Sequence, residues 1–212
     1  MTEHQVERPA PRRGRPPASS REEIETVAID LFLRKGFEET TLAEITAAAG
    51  VSKTSFFRYF PSKGSIIWWR FDEFTSGFAG LLEEAVPAEG ATLDLVRGCI
   101  IGALEKVIDA EGLWMQRFRV LDESTELRSG ESEQWAAWTE HVASFVARRH
   151  GFATGDVAPQ GIAGGIHGAY VAMLRRWLLV ENPSSDLLPD LDRELQPLCR
   201  VLQSWLDEKP ST

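Results

Sequence analysis

The sequence predicts an all-α protein, with an N-terminal three-helix helix-turn-helix domain followed by a C-terminal helical bundle. Three observations carry this. Apolar residues recur at helical spacing through most of the 212 residues, and no stretch alternates with the period of a strand. Ser20 and Thr41 each stand three positions before a glutamate at the head of an apolar stripe, the pattern of a capping box. Two short helical stretches meet across Ala49-Gly50-Val51-Ser52, a turn that uses glycine's conformational freedom.

Residues 1–19 are polar, contain prolines and show no apolar periodicity, so they read as a flexible arm. Ser20 with Glu23 opens the first helix, whose stripe is Ile24, Val27, Ala28, Leu31 and Phe32, and Gly36 ends it. Thr41 with Glu44 opens the second, through Ala49, with Leu42, Ile45 and Ala48 inward. Ser52 caps a third helix, Lys53 to Phe60, with Phe56 and Phe60 inward. Pro61 closes this unit, and Ser62 caps a long fourth helix reaching about Ala85. Beyond it the pattern stays helical, with breaks at Pro87 to Gly90, near Ser124, at Gly151 to Pro159 and at Asn182-Pro183. Stripes run through Phe71, Phe74, Phe78 and Leu81, then Leu95, Val96, Cys99, Ile100, Ala103 and Val107, then Trp135, Trp138, Val142 and Phe145. The last two helices carry Ile166, Tyr170, Met173, Leu174, Trp177 and Leu178, then Leu191, Leu195, Leu198, Leu202 and Trp205.

The net charge of −9 hides an asymmetry. Residues 1–70 hold 11 Lys/Arg against 9 Asp/Glu, whereas residues 71–212 hold 12 against 23, so a slightly basic front precedes an acidic body. Cys99 and Cys199 lie far apart in apolar surroundings, without a metal-binding spacing or a disulfide framework, so a reducing cytoplasm is expected. The start has no apolar leader, and Arg175 and Arg176 interrupt the most apolar late stretch, so neither export nor membrane insertion is expected. Enzyme chemistry finds no footing either. GxSxG and HExxH are absent, and none of His4, His141, His150 and His167 has the glutamate three residues before it that a di-iron bundle uses. No catalytic residue, metal or cofactor is expected. The run Gly161, Gly164, Gly165, Gly168 lacks the Lys-Ser/Thr of a phosphate loop and reads as close helix packing.

The third helix exposes Lys53, Thr54, Ser55 and Arg58, which suits a recognition helix in a DNA groove. Gly36-Phe37, Thr40-Thr41, Ile45, Ala48-Ala49-Gly50-Val51-Ser52, Phe57-Arg58-Tyr59-Phe60 and Ser62-Lys63 together resemble the DNA-binding domain of TetR-family regulators over roughly 45 residues. That resemblance implies a dimer on double-stranded operator DNA, with a ligand-binding and dimerisation domain behind it. By position it assigns phosphate or base contacts to Thr41, Ser52, Lys53, Ser55, Phe57, Tyr59 and Lys63, with Arg58 on the groove-facing side. Thr54 stands where the family often has Gly, and Phe57 where it often has Tyr, which removes a hydroxyl from a phosphate-contacting position. Arg12-Arg13-Gly14-Arg15-Pro16-Pro17 resembles arms that insert arginines into narrow minor grooves. The expected division is an arm over 1–19, a DNA-binding domain over 20–65, and a ligand-binding and dimerisation domain over 66–212.

Within the last of these, Trp114, Phe118, Trp138, Phe145 and Tyr170, with His141 and His167 as polar tips, suit a pocket for a small apolar or amphipathic effector. The stripes at the chain's end, with Met173, Trp177, Leu178, Leu195, Leu198, Leu202 and Trp205, offer more apolar surface than one bundle edge hides, so a homodimer is expected there. An effector that tilts the fourth helix would change the spacing of the two recognition helices and release DNA. Gly14-Arg15-Pro16-Pro17, Phe57-Arg58-Tyr59-Phe60-Pro61-Ser62-Lys63, Trp68 and Phe71-Asp72 are similar to the regulators found with mycofactocin biosynthesis, which implies an acyl-CoA type effector. The alternative is a DNA-binding or helical interaction protein with no small-molecule switch.

Overall fold

In a computed structural model, which describes residues 20–108, 112–153, 155–179 and 187–208, both capping boxes close. Ser20 accepts from the Glu23 N–H while the Glu23 carboxylate takes the Ser20 N–H, and α1 runs Arg21–Lys35. Thr41 and Glu44 repeat the exchange at α2, Leu42–Ala48. Ser52 accepts from the Ser55 N–H to open α3, Lys53–Tyr59, and Gly50 makes the turn between them at φ +65°. Phe56 and Phe60 point inward and are fully buried, as their spacing required. The arm with Arg12, Arg13 and Arg15 lies outside the described residues.

Among the described residues six more helices follow: α4 Ser65–Ala85, α5 Thr92–Glu105, α6 Leu113–Glu123, α7 Thr125–His150, α8 Val157–Leu178 and α9 Leu187–Glu208. Among the described residues there is no strand. The helix α4 is about 31 Å long at the usual rise per residue and packs on α5 and α7. The pairs α5 with α9, α7 with α8 and α8 with α9 close the bundle, so α8 and α9 form one outer edge. The core is continuous from Ile24 and Phe56 in the front unit, through Phe71, Phe74 and Phe78 of α4, to Leu191, Leu195 and Leu206 at the end.

Several sequence expectations shift here. Ala48 is exposed, and Ala49 packs on the core in its place, because a two-turn helix presents only one narrow face. Ser62 does its capping one turn early: its hydroxyl accepts from the Ser65 N–H in the turn before α4 instead of forming the helix N-cap. A break unexpected from the pattern separates α5 from α6, where Gly112 adopts φ +74° just before Leu113. Three of the four glycines of α8 do not mediate packing within the chain. A Cβ on Gly161, Gly164 or Gly168 would meet nothing within 4 Å, and only Gly165 faces Leu202. Pro197 lies inside α9 on its exposed side, where water can take the carbonyl its ring leaves without a donor.

The buried face of α1 is turned relative to the expected stripe. Ile24, Glu25, Ala28, Ile29 and Phe32 are buried, while Val27 and Leu31 are half-exposed. The cause is Glu25. It pairs with Arg117 of α6, and both side chains are only 1% exposed. A carboxylate is buried this deeply only beside a partner of opposite sign, and this pair holds α1 to α6 across the two halves of the molecule. Arg117→Met should lower stability by about 3–5 kcal/mol, since it strands a buried carboxylate. Adding Glu25→Leu should recover most of that loss, and urea unfolding of the single and double variants checks both.

Candidate nucleic-acid interface and effector site

The outward face of α3 is basic and aromatic. Lys53, Thr54, Phe57 and Arg58 are exposed, with Ser55 and Tyr59 half-exposed. The Arg58 guanidinium lies 4.9 Å from the centre of the Tyr59 ring and donates to its hydroxyl, and the Lys53 ammonium stands 5.8 Å over Phe57. Among the described residues neither cation meets a carboxylate. Phe57 is 46% exposed, a large apolar ring on a face otherwise built for polar contact. Beneath it Phe56 and Phe60 anchor the helix, with Trp69 edge-on to Phe60. Thr41 and Ser52 are exposed, and their hydroxyls already serve the helix caps.

Lys63 sits differently. Its ammonium donates to the carbonyls of Phe37 at 2.7 Å and Thr40 at 3.2 Å, and stands 4.1 Å over the Phe37 ring. It therefore clamps the loop between α1 and α2. From the same loop Glu38 reaches the start of α7: its carboxylate accepts from the Ser124 hydroxyl at 2.7 Å, the Glu126 N–H at 3.2 Å and the Thr125 hydroxyl at 3.4 Å. Ser124 is buried, caps α7 through the Leu127 N–H and ends α6. The hydroxyl of Ser124, then the backbone N–H donors, hold the Glu38 carboxyl down at about 2. The sequence carried no sign of this contact, because a glutamate in a loop is ordinarily solvated.

Behind this joint, rings from α4, α6, α7 and α8 meet. Phe74, Phe78, Trp138 and Tyr170 lie within 15° of parallel in a closed circuit, with centroids 5.1 Å apart for Phe78 and Trp138, 5.9 Å for Trp138 and Tyr170, 6.1 Å for Tyr170 and Phe74, and 6.2 Å for Phe74 and Phe78. Trp114 packs on Phe71 and Phe74, and Trp135 and His167 close another side. The structure thus brings Trp114, Trp138, His167 and Tyr170 together. Phe145 is buried at the far end of α7 against the Arg149 guanidinium, and His141 is half-exposed. Phe118 is buried on α6 without a ring contact in this set. The residues that sequence reading missed are Phe71, Phe74 and Phe78, read only as a core stripe of the fourth helix. The indole N–H groups of Trp114 and Trp138 and the hydroxyl of Tyr170 are buried without a hydrogen-bond partner, and burial alone pushes the Tyr170 phenol far above its ordinary range.

The outer edge of the bundle differs from expectation. Leu195 is fully buried within the chain, and Met173 and Trp177 nearly so, because their side of α8 and α9 faces the core. Leu178, Leu198, Leu202 and Trp205 are half-exposed, Leu179 and Val201 exposed, and the outward side of α8 is the glycine stripe. No helix among the described residues is long and apolar enough to cross a membrane, and no group of His, Cys, Asp and Glu there could hold a metal.

Residues 24–67 match the family model described as bacterial regulatory proteins, tetR family, and residues 91–203 match the model of the MftR C-terminal domain. The chain is 32% identical over 172 residues, 81% of its length and 86% of the relative, to MftR of Mycobacterium tuberculosis, a protein named for regulating transcription of mycofactocin biosynthesis. Among solved structures it is similar in fold to FadR of Thermus thermophilus in complex with lauroyl-CoA, with TM-score 0.55, 23% identity, and 84% and 93% of the two chains covered. It is likewise similar to SmeT of Stenotrophomonas maltophilia in complex with triclosan, with TM-score 0.62, 18% identity, and 87% and 90% covered.

The link from Glu38 to α7 sets a pH test. A carboxyl lowered to about 2 stabilises fully above its ordinary 4.5, and the contribution disappears as pH falls through about 2. Glu38→Gln should therefore lower the melting temperature by about 1–3 °C at neutral pH, a small effect because the carboxylate is exposed. The gap to the parent chain should narrow as pH falls from 4.5 toward 2, as followed by circular dichroism.

Proposed function

The chain belongs to the TetR family of bacterial transcriptional regulators, and from that premise we propose that it is a ligand-responsive repressor. In this reading it binds a near-palindromic operator as a homodimer and is released by an apolar or amphipathic effector of the acyl-CoA type. The observation that carries the proposal is the joint. The Glu25–Arg117 pair and the Glu38–Ser124 hydrogen bond connect the basic face of α1 to α3 with the helices that hold the aromatic cluster.

On DNA, Lys53 and Arg58 reach guanine edges or phosphates, and the exposed Phe57 ring takes a thymine methyl in place of the phosphate contact that a tyrosine would make. Thr41, Ser52, Thr54, Ser55 and Tyr59 surround them, and Arg12, Arg13 and Arg15 of the arm enter the adjoining minor groove. Lys63 acts mainly by holding the loop that carries Thr41. The dimer forms on α8 and α9. Leu178, Leu198, Leu202 and Trp205 supply half-exposed apolar surface, and the open glycines of α8 let a second helix approach closely. Two recognition helices about 34–36 Å apart then face half-sites one helical turn apart.

The effector acts by population shift. A ligand lodged among Trp114, Trp138 and Tyr170 separates α6 and α7 from α4 and moves Arg117 and Ser124, which α1 and its following loop must follow. The support for an acyl-CoA is the match to the MftR C-terminal domain and the fold shared with a relative that holds lauroyl-CoA.

Replacing both Lys53 and Arg58 by Ala should weaken operator binding by about 1–3 kcal/mol or more and flatten its salt dependence by about two units. Unchanged binding in a mobility-shift titration refutes the DNA face. Trp205→Glu with Leu198→Glu should give a monomeric mass in sedimentation and lose operator affinity. Long-chain acyl-CoAs should quench tryptophan fluorescence and release DNA together. Binding that leaves the operator complex intact replaces this reading with an unswitched DNA-binding protein.

A further inference from the structure

Trp114, Trp138 and Tyr170 come from three different helices, α6, α7 and α8, and their rings share one cluster through Phe74 and Phe78. Each carries one hydrogen-bond donor, and all three donors are buried without a partner. An isolated orphan of this kind is a small defect, since buried donors are almost always satisfied in native proteins. Three in one ring cluster have a common remedy, an acceptor brought in from outside. We propose that these donors recognise an uncharged carbonyl oxygen of the effector, in an ester, thioester, amide or ketone. The inference rests on the effector pocket of the proposed function and specifies its chemistry.

The surroundings select against a charged acceptor. The walls on the α4 side are the rings of Phe71, Phe74 and Phe78, which cannot solvate an anion, and on the other side the His167 ring is covered by Trp135 and Trp138. Arg117, three residues after Trp114 on α6, is already paired with Glu25. The high phenol pKa of Tyr170 has desolvation as its cause, which marks a place hostile to charge. A neutral carbonyl oxygen brings two lone pairs, enough for two of the three donors, without that penalty, while a plain hydrocarbon leaves all three unmatched.

The test uses the full-length protein and three chemical probes of similar length: methyl caprate, the caprate anion and undecane. Affinity is read from tryptophan fluorescence, and the ester carbonyl stretch from infrared spectra of the bound, carbon-labelled ester. Methyl caprate should bind about tenfold or more tighter than undecane or caprate, with its carbonyl stretch shifted down from its value in alkane solvent. Tyr170→Phe removes one donor and keeps the ring. It should leave the unliganded protein as stable or more so, weaken methyl caprate about two- to tenfold, leave undecane unchanged and reduce the infrared shift. Equal binding of ester and alkane, or an unshifted carbonyl, overturns the donor assignment while leaving a pocket in place. Failure of all three probes to bind overturns the pocket, and this inference with it.

Discussion

The Glu25–Arg117 ion pair is the constraint on which the remaining geometry depends. Two charges buried to 1% exposure gain little net stability, because desolvation offsets most of their attraction. What they fix is position. Only one rotation of α1 places Glu25 against α6, and that rotation decides that Ile29 is buried and Val27 is not. The front of the molecule is thereby set on the bundle at a defined angle, and Phe60, packed on Phe56, then meets α4 through Trp69. An apolar contact in the same place would tolerate sliding, whereas an ion pair stranded by a shift of one turn costs several kcal/mol.

The DNA-facing unit is therefore attached to the bundle in two ways. One is apolar and continuous, where α4 leaves the turn at Ser62. The other is polar and discrete, and it runs to the corner of α6 and α7 through Arg117 and Ser124. Lys63 couples the two, since it sits at the root of α4 and grips the carbonyls of the loop from which Glu38 extends. Tilting α4 alone would drag this loop against its anchor on α7. Moving α6 and α7 alone would pull Glu25 and Glu38 together. A ligand lodged, as proposed, among Trp114, Trp138 and Tyr170 would touch both routes, because those residues stand on α6, α7 and α8 and press on α4.

Much of the fold is legible in the sequence where local chemistry decides the outcome. Capping boxes at Ser20 and Thr41, the Ser52 cap and the Gly50 turn depend on residues three or four apart, and each forms as its spacing required. The ring cluster is half legible: Trp138 and Tyr170 stand out on their own stripes, but nothing in the sequence says that Phe74 and Phe78 complete their circuit. What escapes is the pairing of charges distant along the chain. Glu25 lies 92 positions from Arg117 and Glu38 lies 86 from Ser124, and in isolation each glutamate reads as a solvated residue on a helix or loop. The inward side of α8 and α9 escapes for a related reason. Bulky residues such as Leu195 and Trp177 look like interface when the elements they pack on are unknown, and the glycines look like packing when they face outward.

The charge asymmetry gains a spatial meaning once the pairs are known. Arginines of the bundle are engaged with carboxylates, as in Arg97 with Asp192, Arg148 with Glu83 and Arg175 with Asp122, yet residues 71–212 still carry 11 more acidic than basic residues. Among the described residues of that stretch no Asp or Glu is buried. On α3 the arrangement is reversed, since Lys53 and Arg58 rest on aromatic rings and no carboxylate meets them among the described residues. Ring contacts hold a cation in place without neutralising it, so its field remains available to a polyanion. A polyanion such as DNA is repelled by the acidic body and attracted at one face, so the summed field orients the molecule before contact. The net charge of −9 thus opposes non-specific adhesion without opposing the specific approach.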